Sequence, residues 1–129
     1  MMEILIVVVI IGIMAIIFGN AGNQAAFERQ RGQEAISNLE LIHNGEKRFF
    51  LEHNNYFFCG GPVCTPEEIR SNLTFVIDTR NFEYSINSTT VASQPGYRAV
   101  ATRRSGECVG RSLNITHNNS TIQKGCDKW

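Results

Sequence analysis

No Lys, Arg or His precedes Arg29 in this 129-residue chain, and the opening stretch MMEILIVVVIIGIMAIIF holds one charge of either sign, Glu3. A cleaved secretory signal needs a basic start and a small-residue cleavage site; neither accompanies this run. Across the chain 12 Lys and Arg balance 12 Asp and Glu, giving net charge +0 and a pI near 6.8. Such a balance supplies no basic field for nucleic acid. Cysteine is absent before Cys59, and no CxxC or CxxCH occurs, which argues against a zinc site and covalent c-type haem. His43 and His53 lie ten apart, off ligand spacing. With no Ser/His/Asp or Cys/His arrangement, no phosphate loop and no close carboxylate pair beyond Glu67 and Glu68, neither an enzyme nor a cofactor is expected.

What the opening does contain is grease. Ile4 to Phe18, broken only by Gly12, would span about 22 Å as a helix at roughly 1.5 Å per residue, close to the apolar thickness of a bilayer, so residues 1–18 read as a membrane segment. A carboxylate beside such a run costs several kcal/mol unless protonated or paired. The only nearby positive group is an α-amine, the chain's own or that of a neighbouring copy. A neighbour's amine on Glu3 would fix the axial offset between two apolar helices that Ile and Val contacts leave free to slide.

The segment MEILIVVVIIGIMAII, with its Glu, its branched apolar run and Gly12 nine residues after the Glu, resembles the N-terminal segment of type IV pilins and of the pseudopilins of type II secretion. By that resemblance Met1 and Met2 fall on the two positions before the family's Glu, where mature chains usually carry a methylated Phe and a Thr behind a short basic leader. NLELIHNGEKRFFLEHNNYF resembles, more softly, the second half of the pilin helix and the loop after it. The resemblance implies an α+β fold: one long N-terminal helix, hydrophobic in its first half, packed in its second half against a small antiparallel sheet. It also implies a structural subunit, held in the inner membrane and then drawn into a helical extracellular filament of like copies. A prepilin peptidase, a membrane platform protein and a cytoplasmic ATPase would be its partners. Two alternatives share the segment: a pseudopilin forming a short periplasmic piston, and a membrane-anchored minor pilin, adhesive or DNA-uptake module that need not polymerise.

The expected divisions are a hydrophobic segment over residues 1–24, an amphipathic helix over 25–53 and a head over 54–129. Gly19, Asn20, Gly22 and Asn23 are poor helix formers, Gly by roughly 1 kcal/mol against Ala, so the helix is expected to weaken there and to extend in a filament. Many pilins carry a helix-breaking Pro in that region, and this chain does not. Beyond it Ala35, Ile36, Leu39, Ile42, Phe49 and Phe50 recur at spacings of three and four. Glu28, Arg29, Arg31, Glu34, Glu40, Glu46, Lys47 and Arg48 read as the opposite, solvated face. TPEEIRSNL reads as a short helix with Thr65 as N-cap, Pro66 in the first turn and Glu68 closing a capping box. Strands are expected near Leu73–Asp78, Phe82–Ile86, Tyr97–Thr102, Ser112–Thr116 and Thr121–Lys124, with SQPG and RSGE as turns.

A head of about seventy residues is small for a self-sufficient core, and four cysteines point to an oxidising compartment. Cys59 and Cys64 enclose GGPV, while Cys108 and Cys126 enclose a C-terminal loop of the kind many pilins close with a disulfide. Those two pairs are expected, with the two other connectivities open on sequence alone. Asn-x-Ser/Thr triplets begin at Asn72, Asn87, Asn114, Asn118 and Asn119 and offer possible glycosylation sites. Phe49, Phe50, Tyr56, Phe57 and Phe58 form an aromatic cluster expected to pack between helix and sheet.

Overall fold

An apolar position every third or fourth residue keeps one side of a helix dry, and alternation by two does the same for a strand; the fold is built where those sides meet. The computed structural model describes residues 1–19, 24–91 and 93–129. Three helices, α1 (Met2–Gly19), α2 (Gln24–His53) and α3 (Pro66–Leu73), precede four strands, β1 (Phe82–Val91), β2 (Gln94–Arg103), β3 (Ser112–Thr116) and β4 (Asn119–Lys124). The strands form one antiparallel sheet in the order β1-β2-β3-β4. The chain is therefore α+β.

The core gathers Ala35, Leu39 and Ile42 of α2, Ile69 and Leu73 of α3, and the inward residues of the sheet: Phe82, Tyr84, Ile86, Tyr97, Ala99, Ala101, Leu113 and Ile115. Ala99 and Ala101 sit mid-sheet, opposite Ile86 and Tyr84 in register, and their small side chains leave room for Leu39 and Ile42. Asn38 Nδ2 donates to Tyr84 Oη at 2.8 Å, which ties α2 to β1. Burial together with the charges of Glu34 and Asp78 pushes the Tyr84 phenol up to about 12, so it stays neutral.

The first expected strand does not form. Leu73 instead closes α3, and Thr74 adopts left-handed backbone at φ 63°, its N–H donating to Arg70 O at 3.1 Å. Arg48 of α2 then donates to Leu73 O at 2.8 Å and to the Thr74 hydroxyl, pinning the segment to the helix. Nor is the sheet edge free: Cys59 N–H donates to Ile86 O at 3.3 Å and Cys64 N–H to Tyr84 O at 2.7 Å, so the Cys59–Cys64 loop already lies along β1. The second disulfide, Cys108–Cys126, joins the loop after β2 to the segment after β4. At the other end of α3 the capping box forms in full, with Thr65 Oγ1 accepting from Glu68 N–H and Glu68 accepting from Thr65 N–H.

SQPG is not the turn. Ser93, at φ 65°, sits in the β1–β2 connection, while Pro95 and Gly96 lie inside β2 opposite Thr90 and Thr89. Proline is tolerated because β3 pairs only with Arg98–Thr102, leaving no ladder partner on the other side of Pro95 for its missing N–H. Gly96 is required for a different reason: a Cβ there would meet the His117 ring at 2.0 Å.

Two features of α2 run against the expected solvated face. Glu28 and Glu46 are buried, at 5 % and 0 % exposure, because positions 28, 35, 39, 42, 46 and 49 fall on one side of the helix. Glu28 is paired: Arg103 Nη2 reaches its Oε1 at 2.9 Å, and Arg103 also donates to Asn81 O and lies 5.3 Å from the Phe82 ring centroid. The Arg103 hydrogen bonds hold the Glu28 carboxyl below the usual range despite burial. One turn on, Gly32 admits Trp129, whose ring carbons would stand 2.6 Å from a Cβ.

Arg103→Met strands Glu28 in the core and is expected to cost about 3–5 kcal/mol in urea denaturation. In the wild type the Glu28 contribution is fully present above its unfolded value near 4.5 and is lost as pH falls through the lowered folded value; Arg103→Met removes that acid loss. Trp129 is the sole tryptophan, so Gly32→Val should shift emission to longer wavelength as the ring is displaced into water.

Candidate assembly interface

α1 is apolar around its whole circumference. Val7, Val8, Val9 and Ile10 are 54, 61, 53 and 48 % exposed, and four consecutive helical positions sweep nearly the full circle, so no side is covered by the chain's own head. Helices of this kind are found buried in large cores or in lipid. Met2, Leu5, Ile6, Val9 and Ile10, at spacings of three and four, line a shallow apolar groove along one side.

Glu3 lies in the first turn of α1, where an acid opposes the helix dipole for about 0.3–1 kcal/mol, and its side chain is exposed. Among the described residues no ion pair includes Glu3. Gly12 faces open space, with nothing within 4 Å of a Cβ placed there, and so forms a notch among bulky neighbours. Gly19 is the last residue of α1; Asn20, Gly22 and Asn23, where weakening was expected, lie outside the described residues.

Among the described residues no helix is long and apolar enough to cross a membrane, and the expected segment 1–18 ends on residues whose side chains lie outside the described ones.

The other candidate residues scatter over the head. Asn72 is half-buried and its Nδ2 donates to Glu68 O at 2.8 Å, while Asn114 is half-buried within β3. Asn87, Asn118 and Asn119 are exposed; Asn119 Oδ1 accepts from Thr121 N–H at 2.9 Å in the β3–β4 hairpin. Phe49, Tyr56 and Phe57 pack against the core, whereas Phe50 and Phe58 are 36 and 40 % exposed. Among the described residues no group of three or more His, Cys, Asp or Glu side chains could hold a metal ion.

Sequence reasoning missed a polar nest inside the head. His43 is buried with Nδ1 against Tyr97 Oη, and Tyr56 meets the Tyr97 ring edge-on at 5.0 Å; His117 lies 6.0 and 6.3 Å from those two rings. Burial, then the Lys47 and His117 charges, lowers the His43 pKa. Its signal was present: Glu46 keeps the spacing of the apolar stripe, four after Ile42 and three before Phe49.

No protein-family model, curated protein or solved structure matches this chain.

Val9→Asp sets a charge in the middle of the α1 groove. If that groove is covered by another copy, burying the charge costs about 3 kcal/mol or more, which raises the concentration needed for self-association by about a hundredfold or more in sedimentation velocity.

Proposed function

We propose that this protein is a structural subunit resembling type IV pilins, which polymerises through α1 into a helical cell-surface filament. The observation that carries the reading is the all-round exposure of an apolar helix bearing one acid two residues from its start. Contiguous apolar surface of this extent is not left to water; it marks an interface. A helix that is apolar on every side suits a filament core, where neighbours surround it, better than a dimer seam, which needs a single stripe.

The role of Glu3 follows from desolvation. Inside a bundle of α1 helices its carboxylate needs a cation, and the α-amine of a neighbouring copy is the candidate, since no Lys, Arg or His occurs in the first 28 residues. The pair sets register, and dispersion between branched side chains supplies the cohesion. A contact from one part of a copy to a different part of the next propagates as an open helix when its rotation does not close a ring. Before assembly the subunit waits at the inner membrane, its short apolar run accommodated by local thinning of the bilayer. Processing by a prepilin peptidase and extraction by a platform protein and a cytoplasmic ATPase belong to the same proposal, as does the extension of residues 19–23 that lets the head stay outside.

Electron microscopy of material sheared from cells should find long thin fibres. Glu3→Ala should reduce fibre mass by about tenfold or more, consistent with loss of a desolvated charge pair. Normal fibre yield from Glu3→Ala would sink the register role, and short or absent fibres from the wild type would favour a pseudopilus or a monomeric anchor.

A further inference from the structure

The Asn-x-Ser/Thr triplets of this chain cease to be equivalent once it is folded. Asn72 already engages its Nδ2 with Glu68 O at 2.8 Å within α3. Asn114 is half-buried in β3, paired with Val100 of β2 on one side and Gln123 of β4 on the other. Asn87 is exposed but lies in the regular β1 ladder opposite Arg98, where extended backbone sets Thr89 roughly 6.6 Å further along. Asn118 faces backwards, its Oδ1 accepting from the Thr116 hydroxyl at 3.0 Å.

Of these side chains, Asn119 is the one that turns toward its own triplet. Its Oδ1 accepts from Thr121 N–H at 2.9 Å, an Asx turn over Asn119, Ser120 and Thr121. The backbone permits this because β4 is irregular there. Thr116 pairs with Asn119 and Asn114 with Gln123, so Ile115 stands opposite Ser120, Thr121 and Ile122 and the strand buckles. A backbone N–H can only donate, so the atom facing it is the carboxamide oxygen and Nδ2 lies on the other side of the group. Asn119, Ser120 and Thr121 are all exposed, on the strand that ends the sheet.

We propose that Asn119 is a glycosylation site, its Nδ2 accepting an oligosaccharide from a polyprenyl-diphosphate carrier. In the transfer Nδ2 attacks the anomeric carbon and an N–C bond forms as the C–O bond to the diphosphate breaks. The lipid diphosphate leaves with the electron pair, and the Nδ2 proton passes to a base of the transferase. Amide nitrogen is a poor nucleophile because its lone pair is shared with the carbonyl, so a transferase has to engage both the carboxamide and the hydroxyl residue two places on. The Asx turn draws Thr121 back toward the Asn119 carboxamide, and exposure at the sheet margin leaves room for enzyme and product.

The position also gives the sugar a use. The Cys59–Cys64 loop covers the β1 margin with its backbone donors, whereas no comparable backbone bonds reach the outer side of β4 among the described residues. A bulky, solvated sugar at Asn119 shields that margin from strand-to-strand pairing. The site requires a head outside the cytoplasm, as two disulfides already indicate, and does not depend on whether α1 polymerises.

The test is mass spectrometry of the full chain purified from the cells that make it. Its intact mass should exceed that of the bare chain, less the hydrogens lost to two disulfides, by the mass of an oligosaccharide. The tryptic peptide between Arg111 and Lys124 holds Asn114, Asn118 and Asn119, and electron-transfer fragmentation should place the sugar on Asn119. Thr121→Ala should lose the added mass, and Thr121→Ser, which keeps the hydroxyl, should retain it. Ser120→Ala breaks the Asn118 triplet alone and should also retain it. Wild-type protein at the bare mass, or carrying sugar only at other residues, overturns the proposal. Should Thr121→Ala fail to fold, the wild-type peptide map decides.

Discussion

Apolar surface has to be kept from water, and this chain meets that requirement along α2 and leaves it unmet along α1. The stripe on α2 is covered by the sheet, where Leu39 and Ile42 reach full burial above Ala99 and Ala101. On α1 the described side chains from Met2 to Ile16 remain in solvent. At about 25 cal/mol per Å² of apolar area, covering even a fraction of such a helix is worth several kcal/mol, enough to dominate how the molecule behaves in company.

The head reaches its stability with few residues by combining unlike devices. Two disulfides tie loops that carry little core, one beside β1 and one beyond β4, and each narrows the unfolded ensemble more than a single packed side chain would. The Glu28–Arg103 pair and Trp129 close the end of α2 near its start, and the Glu46 nest closes the other end. Buried polar groups of this kind stabilise less than apolar replacements could, but they admit fewer alternative packings of helix on sheet.

Much of the fold was legible from local rules. The capping box at Thr65 and Glu68 depends on residues three apart and formed as read, and the alternation in Phe82–Ile86 and Tyr97–Thr102 marked β1 and β2. The rest depended on contacts that a local pattern does not encode. Leu73–Asp78 has strand-like residues but no vacant edge to join, and Pro95 sits in a strand because β3 happens not to extend beside it. Glu28 and Glu46 were assigned to water by residue type although their spacing placed them inside; there the period of the helix outweighed the polarity of the side chain. On α1 the apolar run was visible at once, and among the described residues no ion pair includes Glu3.

The small loop closed by Cys59 and Cys64 has a consequence for crowding. Heads brought side by side at high local density are at risk of zipping together through bare strand margins, the route by which β-rich proteins become amyloid. Backbone donors from that loop already occupy the carbonyls of Tyr84 and Ile86, and the opposite margin, β4, is short and polar and ends in Lys124. Heads that come together are thereby left to meet through side chains instead of fusing into a continuous ribbon.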